Sequence, residues 1–229
     1  MSCFVWGVFL LIFYLIGRGQ FEILYQYKRC YANCFYNKNS WIFTWVTKKS
    51  LVILFSGLIA LPLSLSLMSF AALADFFDFA FMLLSMVITS IGFIFFEKFF
   101  HKHVTDKVNK IVAKRMTVLL SMLIMVLIYY LASYYVIPVP QYLDPTSLNH
   151  TIELASKEVG STCSVTNYFL KFMHEFDAIS WFGMTMASKS IDSDYFIKLL
   201  WVIFFINHAL VFAALARLQL EFLTILQIK

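Results

Sequence analysis

The chain reads as an all-α, multi-pass transmembrane protein, and three observations predict it. Hydrophobic residues make up 61% of the 229 positions and charged residues only 14%, giving a mean hydropathy of +0.79. A soluble domain of this size could not bury so much apolar surface, whereas a bilayer dissolves it. Four stretches, 51–74, 76–96, 117–139 and 196–216, meet the length of about 20 apolar residues that a helix needs to cross hydrocarbon. The charges, finally, fall almost entirely outside those stretches, with Asp78 and Lys198 near span ends as the exceptions.

The first segment, 1–17, is a short hydrophobic helix. It carries no basic residue ahead of its apolar run, and Ile16-Gly17-Arg18-Gly19 is a poor cleavage site, so it is expected to be retained as a span or a partly embedded helix. Residues 18–49 form a basic loop, with Arg18, Lys28, Arg29, Lys38, Lys48 and Lys49 against Glu22. Residues 50–96 form a transmembrane hairpin. Its turn carries Asp75 and Asp78, which are costly in hydrocarbon and so belong at headgroup level. They cap the turn or, alternatively, gather cations at an outer mouth. Pro62 removes a backbone donor within the first arm.

Residues 97–116 are expected to be a basic amphipathic helix. Phe100, Val104, Val108, Ile111 and Val112 share one face, and Lys102, Lys107, Lys110, Lys114 and Arg115 supply charge for anionic lipid or a soluble partner. The unit 117–229 is a transmembrane pair enclosing the loop 140–195, in which three lysines stand against seven acids. The positive-inside rule therefore places 18–49 and 97–116 in the cytoplasm, the 140–195 loop outside and the C-terminus inside, as in a bacterial inner membrane. Five spans would put the N-terminus outside and four would put it inside. The net charge of +5 points to acidic lipid or protein surfaces before nucleic acid, so no direct nucleic-acid binding is expected.

Within the outer loop, Val165, Tyr168, Phe169, Phe172, Met173, Phe176 and Ile179 recur at the helical period, and the pattern ends in Gly183, Thr185, Ser188 and Ser190. In the last span, Asn207 and His208 stand at membrane depth. They either bond between helices, line a hydrated path, or titrate. Ser85, Thr89 and Gly92, like Ala209, Ala213 and Ala216, repeat at a spacing that lets helix backbones approach.

Four cysteines add little. Cys163 stands alone in the outer loop, so no disulfide is expected there, and Cys30 and Cys34 belong to a reducing compartment. His101 and His103, two apart, do not face each other on a helix. No metal site and no cofactor are expected. The sequence holds no Gly-x-Ser-x-Gly, no His-Glu-x-x-His and no paired intramembrane aspartates, so an enzyme is not expected either.

The run Phe176-Asp177-Ala178-Ile179-Ser180-Trp181-Phe182, followed by Met184-Thr185-Met186, resembles the pore helix of tetrameric potassium-type channels. The order of outer helix, loop, pore helix and inner helix over 117–216 is similar too. The resemblance implies a homo-oligomer, a tetramer in that family, with Phe172, Phe176, Asp177, Trp181 and Thr185 on the helix of the outer loop. Those channels coordinate ions through a glycine-rich filter. Here Ala187-Ser188-Lys189-Ser190-Ile191-Asp192 holds no glycine, which implies a degenerate centre.

The overall layout also resembles the membrane subunit of the Kiwa anti-phage defence system, a family that pairs a membrane sensor with a soluble DNA-binding partner. The function expected is a non-enzymatic oligomeric membrane scaffold or sensor. Its outer loop detects an envelope event and its basic loops engage a soluble cytoplasmic partner. The alternative is a channel-like pore lined by Asn207 and His208.

Overall fold

The computed structural model describes residues 5–37, 39–189 and 195–227. Among them the fold is all-helical: α1 (Val5–Phe35), α2 (Trp41–Val46), α3 (Lys49–Leu73), α4 (Phe76–His101), α5 (Asp106–Tyr135), α6 (Leu148–Glu158), α7 (Ser164–Lys189) and α8 (Tyr195–Gln227). Five of these, α1, α3, α4, α5 and α8, are long and apolar enough to cross a bilayer.

α8 is the hub. It packs on α3, α4, α5, α7 and α1, while α1 pairs chiefly with α3 and α4 with α5. The small-residue spacings serve these contacts. Ser85 and Thr89 are buried on α4, Gly92 lies against the Thr117 side chain of α5, and Ala213 and Ala216 are buried on α8. At one end of the bundle the core is aliphatic, built from Ile16, Leu63, Leu67, Val118, Leu215 and Leu220 together with Phe93. Toward the other end it turns aromatic, with Tyr129, Trp181, Phe204 and Phe212 around Met125 and Met184.

Several expected boundaries are corrected. The N-terminal helix does not stop at Gly17 but continues to Phe35, so most of the expected basic loop is helix. Gly17 and Gly19 are contact points rather than breakers. Gly17 sits against Ala60 of α3, and Gly19 lies against the Glu221 carboxylate of α8. At about 1.5 Å per residue, the 31 residues of α1 are longer than the ~30 Å hydrocarbon core requires, and its charges lie from Arg18 onward.

The expected amphipathic helix over 97–116 is two helix ends. α4 stops at His101, residues 102–105 turn, and α5 begins at Asp106 with Thr105 in the N-cap position. The Asn109 amide donates to the Glu97 carbonyl at 3.3 Å and ties the two arms. α7 runs unbroken through Gly183 and Thr185 to Lys189, so 184–189 is helix where the sequence suggested a polar turn. Ser190, Ile191 and Asp192 lie outside the described residues, as does the side chain of Lys189.

Cys163 is also corrected: it is disulfide-bonded, whereas Cys30 and Cys34 are free. The expectation looked only within the loop. Across the fold, Trp6 on the first turn of α1 donates from Nε1 to Thr166 Oγ1 at 3.1 Å and meets Phe169 edge-on, so the start of α1 lies beside the start of α7.

Candidate functional site

The 74–75 turn, the C-terminal part of α5, α6, α7 and the start of α1 gather at one end of the bundle. There a cavity of about 350 Å3 is lined by the last turns of α3, the Asp75–Asp78 turn, Tyr129 of α5, the 137–142 segment, α7 and α8. The Asp75–Asp78 turn forms one side. Asp78 N–H donates to Asp75 Oδ1 at 2.8 Å, and Asp75 N–H donates back to Asp78 Oδ2 at 3.3 Å, a reciprocal capping box that starts α4. The capping role read from sequence is therefore present, and the same carboxylates face the cavity.

Tyr129 stands opposite on α5. Its hydroxyl donates to Asp78 Oδ1 at 3.1 Å. A second tyrosine–carboxylate pair lies on the far wall, where Tyr142, just after Pro138-Val139-Pro140, donates to Asp177 Oδ2 on α7 at 3.1 Å. His174, one turn before Asp177, meets the Tyr142 ring edge-on at 4.9 Å and lies 3.6 Å from Glu158 Oε2. Trp181, Phe70 and Asn207 also line it. No lysine or arginine is among the described lining residues.

These surroundings set the electrostatics. Burial pushes the Asp177 carboxyl up from 3.8 to about 7; the Tyr142 hydroxyl pulls it back and the Asp78 charge raises it further. Tyr142 is raised as well, first by burial and then by Asp177. His174 is lowered by burial, against the pull of Glu158. Outside the cavity, Asp144 falls to about 2 because it accepts from Thr146 and pairs with His150 at 2.7 Å, which pins the start of α6.

The structure sorts the residues singled out from sequence. Asp75, Asp78, Asp177, Trp181 and Asn207 converge on one cavity. His208 does not join them: it is 2% exposed, its Nδ1 lies 2.9 Å from the Phe204 carbonyl, and its ring is held between Tyr129 and Phe204, each 4.3 Å away by centroid. Phe172 is exposed, Phe176 half-buried, and the Thr185 hydroxyl donates to the Trp181 and Phe182 carbonyls.

Of the basic set, Lys102 and Lys110 are exposed, and the side chain of Lys107 lies outside the described residues. Arg115 stacks over the Tyr27 ring. Lys114 is not a docking residue, because it is buried in an ion pair with Glu221.

Tyr129, Tyr142 and His174 are the site residues that sequence reasoning missed. His174, Asp177 and Trp181 recur at the helical period on α7, next to the apolar stripe that drew attention. Tyr129 and Tyr142 flank the end of an apolar span, where tyrosine tips reach polar groups.

The cavity is an electronegative cup with aromatic walls, suited to a small cation. Among the described residues no group of three histidine, cysteine or carboxylate side chains is placed to hold a metal ion. Set against family models, curated proteins and solved structures, the chain matches none.

Proposed function

We propose that this protein is a non-enzymatic membrane sensor whose cavity, facing outward, receives a small organic cation. Its opposite, basic end then engages a soluble partner. The observation that carries this reading is the convergence of Asp75, Asp78 and Asp177 with Tyr129, Tyr142 and Trp181 on one cavity.

The orientation has independent support. A disulfide at Cys163 belongs to an oxidising compartment and free Cys30 and Cys34 to a reducing one. That agrees with the basic segments lying inside. Exposed Arg29, Lys48 and Lys110 present the positive surface that an acidic partner would meet. Assembly into a homo-oligomer, a tetramer in the potassium-channel-like comparison, belongs to the same proposal, as does the role in anti-phage defence that the resemblance to the Kiwa membrane subunit implies.

Reception is favoured over conduction by two features. Below the cavity the bundle is closed by the aliphatic cluster around Leu63, Leu67, Phe93 and Leu215. On α7, residues 184–189 keep their carbonyls in a helix rather than an extended ladder.

The test is calorimetric titration of the purified protein with a panel of alkylammonium ions and diamines, alongside neutral isosteres. At least one cation should bind saturably at pH 8. Asp177→Asn should weaken it by about tenfold or more, as expected for a charge-assisted contact worth about 1.5–3 kcal/mol. Affinity should fall as pH drops through about 7, where Asp177 takes up its proton.

The linked stability has a definite sign. Asp177 is raised from 3.8, so its contribution to folding is present below pH 4 and lost as pH rises through about 7. Cation-induced thermal stabilisation should therefore be largest above that pH. Absence of cation binding across the panel at pH 8 contradicts the reading.

A further inference from the structure

At the end of the bundle away from the cavity, the last turns of α4 form an open groove of about 750 Å3. Its floor is aromatic. Phe95 and Phe99 are 59% and 49% exposed and stack at 6.1 Å, and the Phe99 ring continues onto His103 at 5.2 Å. Its rim is cationic, with Lys98 and Lys102 one helical turn apart and His101 and His103 beside them; Glu97 is the acid among its described lining residues.

The groove does not end at the rim. Of the five spans, α4 is the least covered by its neighbours. Exposed Val87, Ile91 and Ile94 extend the apolar track from Phe95 toward the middle of the helix. The result is a strip of hydrocarbon-compatible surface about 10–15 Å long, at 1.5 Å rise per residue, that runs into a cluster of positive charge at the helix end.

We propose that this groove is a binding site for an anionic phospholipid, with the phosphate at Lys98 and Lys102 and an acyl chain along Phe95, Ile91 and Val87. Charge complementarity and shape together select this occupant. The apolar track lies within a span, where lipid tails are the surrounding medium, and the cationic rim lies where the headgroups begin. Long lysine side chains at a span end reach that level readily. An acidic soluble protein would match the rim but leave the track unmatched, and Arg29, Lys48 and Lys110 offer such a partner a separate surface. The site is independent of the cavity at the other end.

The experiment is native mass spectrometry of the full-length protein, delipidated and then titrated with phosphatidylglycerol or phosphatidylcholine. Phosphatidylglycerol adducts should survive higher collision energy and outcompete phosphatidylcholine. Lys98→Gln and Lys102→Gln should each reduce that preference by about fivefold, and the pair should bring it near unity. Lys98→Arg with Lys102→Arg should keep it, as should Lys110→Gln. Melting in phosphatidylcholine nanodiscs, unchanged across these surface variants, shows that they fold. Equal retention of the two lipids by the wild type overturns the proposal, as does a preference that survives the double glutamine variant. Either result leaves the cation-binding cavity untouched.

Discussion

Glu221→Ala should destabilise the bundle by about 3–5 kcal/mol, because it leaves a lysine ammonium buried without its counter-charge. Lys114 Nζ lies 2.9 Å from Glu221 Oε1, and both side chains are 8% exposed. The pair joins α5 to α8 at the basic end, and Gly19 of α1 is fitted against the same carboxylate. Lys114→Ala should cost a similar amount by stranding the carboxylate instead.

The double variant Lys114→Met with Glu221→Leu should recover most of the loss, since neither charge then needs a partner. Gly19→Ala should be intermediate. Its Cβ would lie 2.5 Å from Glu221 Oε1 and 2.6 Å from Cδ, so the carboxylate must move off its lysine. Thermal unfolding in detergent orders the four variants. Equal melting of wild type and Glu221→Ala would show that the pair is solvated and contributes nothing.

Tyr129→Ala should cost a comparable amount, about 3–5 kcal/mol, the range for deleting a buried aromatic ring. Tyr129 is the centre of the aromatic core. It stacks on His208 and meets Phe81 at 5.1 Å and Phe212 at 5.8 Å. Tyr129→Phe keeps all of that and removes only the hydroxyl that donates to Asp78, so it should cost about 1–3 kcal/mol. The comparison separates packing from the polar contact. If both variants lose the same stability, the hydrogen bond rather than the ring holds α5 to the α4 turn.

Much of the architecture was legible because it is local. Apolar length marked α3, α4, α5 and α8, and Asp75 and Asp78 marked the turn they cap. What failed depends on partners far away in the chain. Gly17 and Gly19 look like helix ends until Ala60 and Glu221 are seen against them. Lys114 looks like one more surface lysine until α8 brings Glu221 to it. Cys163 looks solitary until Trp6 reaches Thr166.

The site was half legible for the same reason. Its carboxylates stand out in an apolar sequence, as do Asn207 and Trp181. Tyr129 and Tyr142 become polar-site residues only when folding sets their hydroxyls on Asp78 and Asp177. His208 shows the converse, since a histidine at membrane depth proved to be an aromatic packing element.

The proposed two-ended design, with an acidic cavity outside and a basic face inside, is tested most directly by labelling intact cells with a membrane-impermeant maleimide. Gln141→Cys, on the exposed rim of the cavity, should label without lysis. Native Cys30 and Cys34 should label only after the membrane is opened, and Cys163 only after reduction. Labelling of Gln141→Cys and Cys30 from the same side, or of Cys163 without reductant, would contradict it.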